Sequence, residues 1–158
     1  MIRAIALSIA LLPSLVVAQG TNIALGGVRA DPTAPVEVTA DNLTVDQERG
    51  TAVFAGDVVI GQGDLRISAA EVQVFYDEST GDITRLAGSG GVIFVTATEA
   101  AEAQMADYDL AAGTLVMSGD VLLTQGASAL SAERMTVDLN SGTARMEGRV
   151  RTVFQQGN

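Results

Sequence analysis

The side chains best suited to chemistry in this chain are carboxylates. Asp107 and Asp109 flank Tyr108, and on a strand that spacing sends both acids to one face, where a carboxylate pair holds calcium or serves glycoside hydrolysis. The same period of two also gives a plainer arrangement, with two solvated acids outside and Tyr108 and Leu110 turned inward. Other catalytic chemistry has few donors to draw on. The sequence contains no His, Cys or Lys, which removes the usual nucleophile and base pairs, Schiff-base chemistry and most zinc sites. Asp41, Asp46, Asp57 and Asp120 fall at expected turns or bends, where Asp bonds backbone N–H groups. Asn42-Leu43-Thr44 matches the glycosylation sequon, a pattern common by chance. The chain therefore reads as a non-enzyme needing neither cofactor nor metal.

Stepping outward from those acids, charge narrows the partners. Formal net charge is -10, too acidic for phosphate neutralisation, so nucleic acid is not an expected partner. Anionic lipid head groups meet the same repulsion, and a lipid ligand would be held mainly by its apolar tails.

At the N-terminus, Arg3 precedes an apolar run from Ala4 to Leu12, then Pro13, then Val16-Val17-Ala18 with small or modest side chains. This reads as a signal peptide over residues 1–18, cleaved after Ala18, and the alternative is a retained anchor. Residues 19–34 are expected to form a flexible segment, 35–154 a single domain and 155–158 a tail. An exported chain without cysteine must hold by packing and strand pairing alone.

The elements that would carry these residues are strands. Gly56-Asp57-Val58-Val59-Ile60-Gly61-Gln62-Gly63 and Gly119-Asp120-Val121-Leu122-Leu123-Thr124-Gln125-Gly126 are near copies, and looser frames follow Gly81 and Gly142. Such repetition marks stacked units that bury their apolar faces against one another. Alternation at Val36 and Val38, Val58 and Ile60, Val72 and Val74, and Val121 and Leu123 predicts an all-β chain. Turns are expected at Gln47–Gly50, Glu78–Gly81, Ala111–Gly113 and Asn140–Gly142. Only Thr98 to Ala106 is ambiguous between strand and helix.

An Ala-x-x-apolar-x-apolar signature adds shape: Ala40, Leu43, Val45; Ala69, Val72, Val74; Ala132, Met135, Val137; and, with Met105 in the alanine place, Tyr108 and Leu110. Its three-residue step breaks the period of two, so the strand must bend there and the inner face changes parity. Gly56, Gly90, Gly119 and Gly148 stand at the expected corners. Bends in register fold the sheet over itself into a jelly roll or solenoid with one apolar interior.

The Gly-Asp-Val-x-Ile/Leu-x-Gln-Gly segments, each followed by an apolar pair and Ser-Ala, together with Pro35-Val36-Glu37-Val38-Thr39-Ala40-Asp41, resemble the OstA-like family over roughly Pro35 to Val153. The resemblance implies an open, slightly twisted antiparallel β-jelly roll built from stacked repeats. It implies a periplasmic carrier and bridge that binds lipopolysaccharide through lipid A. The cargo would pass head to tail from an LptC-like inner-membrane component to an LptD-like outer-membrane translocon. Within the same pathway the alternative is a membrane-anchored LptC-like component, and outside it a ligand-free structural β-solenoid.

Parity places Val36, Val38, Phe54, Val58, Ile60, Val74, Phe94, Tyr108, Leu110, Met117 and Leu123 on the inner face, as core or as lipid-binding surface. Phe54, Phe94, Tyr108 and Met117 offer large or adaptable apolar area for flexible acyl chains. A sheet that does not close leaves two edges, and these are expected near Glu37 and Thr39 at one end and Arg149, Val150 and Arg151 at the other. Their outward charges differ in sign, which favours pairing of unlike ends into oligomers.

Overall fold

A computed structural model describes residues 21–25 and 33–154. Every regular element among them is a strand: β1 (Thr21–Ala24), β2 (Glu37–Thr39), β3 (Asn42–Asp46), β4 (Thr51–Gln62), β5 (Leu65–Tyr76), β6 (Ile83–Val95), β7 (Glu99–Asp109), β8 (Thr114–Gln125), β9 (Ser128–Asp138), β10 (Thr143–Glu147) and β11 (Arg151–Phe154). They form one 11-stranded antiparallel sheet in the order β1-β10-β9-β8-β7-β6-β5-β4-β2, with β3 also on β4 and β11 also on β9. The expected all-β open jelly roll is the observed architecture. The ambiguous window at Thr98 to Ala106 is resolved as strand β7.

The long strands β4 to β9 each bend once, so each serves two leaves. Pairing lapses between Ala55 and Val58, Ser68 and Glu71, Ser89 and Val92, Glu102 and Met105, and Ser118 and Val121. The first leaf runs from β2 through the halves around Ile60, Ile67, Phe94 and Leu123 to β11. The second leaf runs from β3 through the halves around Phe54, Val74, Leu86 and Tyr108 to β10 and β1.

At each predicted corner two successive residues take left-handed backbone: Gly56 and Asp57 at φ 83 and 43, Gly90 and Gly91 at 79 and 89, Gly119 and Asp120 at 83 and 48, Gly148 and Arg149 at 81 and 43. Glycine is required there for room as well as for φ. A Cβ on Gly90 would stand 2.7 Å from the Ala70 Cβ, and one on Gly119 would stand 2.8 Å from the Gln104 Cβ. The neighbouring strand thus packs directly onto the corner backbone.

A repeat that the sequence reading passed over shapes the far end of the second leaf. Asp46, Asp77, Asp109 and Asp138 each stand four residues before a left-handed glycine: Gly50, Gly81, Gly113 and Gly142. Each Asp Oδ1 accepts the backbone N–H three residues on, from Arg49 at 3.1 Å, Thr80 at 3.0 Å, Ala112 at 2.9 Å and Ser141 at 3.1 Å. The side chain supplies the turn's missing acceptor and Gly supplies its positive φ. These hairpins occupy the four predicted turns.

Three expectations change. The segment 19–34 is not flexible throughout, because Thr21–Ala24 forms β1 against β10 and Leu25 is buried in the core. Met105 does not hold the alanine place of the third signature: it is 54% exposed, and Ala103, paired with Val92, sits at the inner position. The signature there is Ala103, Ala106, Tyr108, two residues earlier than predicted, since the bend lies between Glu102 and Met105. Arg149 and Val150 precede the last strand instead of lying on it, because Gly148-Arg149 is itself a corner. The expected signal peptide at 1–18 and the tail at 155–158 lie outside the described residues.

Candidate functional site

The two leaves face one another across a continuous apolar interior whose residues fall into rows, because paired residues on neighbouring strands share a face. One row runs Val45, Ala52, Val74, Leu86, Tyr108, Leu115, Val137, Ala144 and Ile23, from β3 at one end of the roll to β1 at the other. On the first leaf the matching row runs Val38, Ile60, Ile67, Phe94, Ala101, Leu123, Leu130 and Thr152.

Of the predicted inner-face residues, Val58, Ile60, Val74, Phe94, Tyr108, Met117 and Leu123 are fully buried. Val36, Val38, Phe54 and Leu110 are partly buried against the same core. The structure brings all of them to one interior. In its middle that interior is closed, with a cavity of only about 10 Å³ lined by Ile60, Ile67, Val72, Leu86, Gly88, Ala106, Tyr108 and Leu115, room for about one water. At the β2/β3 end it is open. Leu43 and Val45, on the inner rows of β3, are 55% and 58% exposed, since no strand among the described residues lies beyond β3.

The mouth between the free ends of the leaves is polar, a feature the sequence reading missed. Gln62 and Glu99 are buried there. The Tyr108 hydroxyl donates to Gln62 Oε1 at 3.0 Å, joining second leaf to first. Burial pushes the Tyr108 phenol above its ordinary 10.0, so it stays a protonated donor at neutral pH. Gln62 Nε2 donates to the Ala34 carbonyl at 3.3 Å, and Gln125 Nε2 donates to the Ala24 carbonyl at 3.1 Å and to Glu99 Oε1 at 3.3 Å. The Thr96 hydroxyl donates to Glu99 Oε2 at 2.5 Å. Two of these bonds, Tyr108 to Gln62 and Gln125 to Ala24, fasten the leaves to one another, each of a kind contributing about 1 kcal/mol net, and the others brace the first leaf's tip. The repeated Gln-Gly of Gln62-Gly63 and Gln125-Gly126 was the available signal: a polar residue recurring at an inner parity position.

Asp107 and Asp109 both lie on the outer face and serve separate local roles. Asp107 takes Arg85 in a forked ion pair, with Nε 2.9 Å from each carboxylate oxygen, and Arg85 lies 4.8 Å over the Phe75 ring. Asp109 caps the turn at Ala112. Of the predicted edge residues, Glu37 and Thr39 lie on β2 and Arg151 on β11, the outer strands of the first leaf. Arg149 is bound to Glu133, with Nε 2.6 Å from Oε1, which leaves Arg151 as the cation of that edge.

Comparison with known proteins agrees with this geometry. A crystal structure of LptH, described as the LptA-homologous periplasmic component of the lipopolysaccharide transport device of Pseudomonas aeruginosa, matches with a TM-score of 0.71 at 19% identity, covering 80% of this chain and 99% of that one. In sequence, the lipopolysaccharide export system protein LptH of Pseudomonas aeruginosa is 36% identical over 69 residues, 44% of this chain and 38% of its own length. An uncharacterized protein of Rhizobium meliloti is 28% identical over 78 residues, 49% of this chain and 42% of its own length. The aligned stretches thus span less than half of either relative. The model of the family described as LptA/(LptD N-terminal domain) LPS transport protein matches residues 37–143, nearly the whole of the bent sheet, and the chain belongs to that family.

Proposed function

We propose that this protein is a non-enzymatic periplasmic carrier that binds lipopolysaccharide along the inner face of its two leaves and hands it on through end-to-end contacts. The observation that carries the reading is the apolar row on each leaf, running from Val45 to Ile23 and from Val38 to Leu130, with the inner face uncovered at Leu43 and Val45. Lipid A acyl chains would occupy Val36, Val38, Phe54, Val58, Ile60, Val74, Phe94, Tyr108, Leu110, Met117 and Leu123. The interior is filled in the closed form, so binding requires the leaves to part at the mouth, where few polar bonds oppose separation. An LptC-like component would supply the cargo and an LptD-like translocon would receive it. The first-leaf edges, with Glu37 and Thr39 at one end and Arg151 at the other, would pair unlike ends of successive protomers, and Val150 leads into the second edge.

Photo-crosslinkers at Phe94, Tyr108 and outward Val59 test the path with purified lipopolysaccharide. Capture at the first two and not at Val59 is expected. Capture at Val59 alone would sink the interior path, and the absence of any capture would favour a filled structural solenoid.

A further inference from the structure

β1 stands on β10 as β3 stands on β4. Val45 of β3 lies opposite Ala52, and Ile23 of β1 lies opposite Ala144. Leu43 lies opposite Phe54, and Thr21 opposite Met146, in the next inner row. Both strands run antiparallel to their neighbours, and β4 and β10 share one direction because six antiparallel steps separate them in the sheet order. β1 therefore has the leaf, the direction and the inward parity that β3 would have if a second copy continued the stack. At the first leaf's corresponding end, no strand among the described residues lies beyond β11.

We propose that the outer edge of β10 is a strand-acceptor site for β3 of a second copy, and that β1 is an autoinhibitory strand holding this site in cis. The inference rests on the end-to-end reading above and adds its regulation. Two features make the occupant exchangeable. β1 pairs over only four residues, and its Thr21 places a polar side chain in a row where β3 carries Leu43. The incoming strand would also bury Leu43 and Val45, which the isolated protomer leaves exposed.

Release of β1 would open the groove at the same moment. The Ala24 carbonyl accepts the Gln125 Nε2 bond across the mouth, Leu25 N donates to the Gly142 carbonyl at 2.9 Å, and the Leu25 side chain is buried. Withdrawing the segment removes this tie between the leaves and uncovers the interior beside Gln125 and Glu99. Docking of the next protomer and opening of the groove toward it thus become one event. An isolated protomer keeps its β10 end shut.

The test uses the cysteine-free background. Asn22 and Arg145 are directly opposed and exposed, so Asn22→Cys with Arg145→Cys can lock β1 on β10 by oxidation without altering the core. Association is followed by sedimentation velocity across a concentration series, for the oxidised and reduced double variant and for a chain lacking residues 21–25. The locked form should stay monomeric where the reduced form associates, and deletion should lower the midpoint concentration about tenfold or more, as removal of a mostly occupied cis competitor requires. Equal midpoints for locked and reduced protein, while both associate, would overturn the autoinhibitory strand and leave end-to-end assembly standing. If the deleted chain folds but associates no better than the parent, the acceptor-edge proposal fails directly. If no form associates, the assembly reading fails and takes this proposal with it.

Discussion

The two ends of the second leaf carry the same inner rows and treat them oppositely. At the β3 end Leu43 and Val45 face the interior with no strand beyond them among the described residues, whereas at the β10 end Ala144 and Met146 are covered by β1 and fully buried. Both ends obey the same alternation, so the pattern that selects an inward face does not decide whether that face is covered. Coverage depends on a segment far away in sequence, which the sheet brings to one end alone.

The largest contrast should come from moving a charge from the middle of the interior to its open end. Phe94→Asp places an unpaired carboxylate among fully buried side chains and should cost more than about 3 kcal/mol in urea unfolding. Leu43→Asp, on an exposed inner position, should leave the monomer within about 0.5 kcal/mol of the parent while weakening self-association. Similar losses of stability at both sites would mean that the open end is not open in solution.

Corners and tips offer the next contrast. Gly90→Ala forces both left-handed φ and a collision with Ala70, whereas Gly63→Ala has the same sign of φ and no neighbour within 4 Å. Chemical denaturation should show a loss of about 1–3 kcal/mol from strain at either site, with the corner variant clearly the worse. Equal losses would show that the corner can relax and that backbone conformation alone demands glycine there.

A smaller effect isolates the mouth from the ends. Tyr108→Phe removes the bond to Gln62 and should lower stability by about 1 kcal/mol. Because burial raises the folded pKa of Tyr108, its contribution is fully present below the unfolded value of 10.0 and is lost as pH rises through the higher folded value. Melting temperature measured across that alkaline range should fall more for the parent than for the Phe variant. Parallel curves would remove Tyr108 from the latch.

The smallest effect lies in the hairpins. Backbone N–H groups of Ser141 and Asn140 hold the Asp138 carboxyl below its ordinary 3.8, and hydrogen bonds from the Ser79 side chain and the Thr80 and Ser79 backbone do the same for Asp77. A lowered folded pKa stabilises above the unfolded value, and the gain is lost as pH falls through the folded one. Asp138→Asn should therefore soften the acid limb of the stability curve by slightly lowering the neutral value while leaving the value at low pH nearly unchanged, which pH-dependent unfolding would read.

Bends, turns and most of the interior were legible because each rests on local chemistry. Gly56, Gly90, Gly119 and Gly148 announced the corners, and the three-residue step from Ala69 to Val72 announced the change of face. The step from Ala103 to Ala106 was misassigned because Ala106 is small for a core position, and Met105, more apolar, drew the frame two residues along. The polar mouth stayed hidden because Gln62, Glu99 and Gln125 look like ordinary surface residues until the second leaf covers them.

By itself the sequence determined that strands would form, where they would bend and which side chains would share a face, since period, turn chemistry and glycine φ act within a few residues. Only the tertiary structure decided which parts of that face are sealed. Sealing is a contact between segments distant in the chain, as between Thr21–Ala24 and β10 or Tyr108 and Gln62, and no local pattern specifies which of several equivalent edges a short strand will occupy.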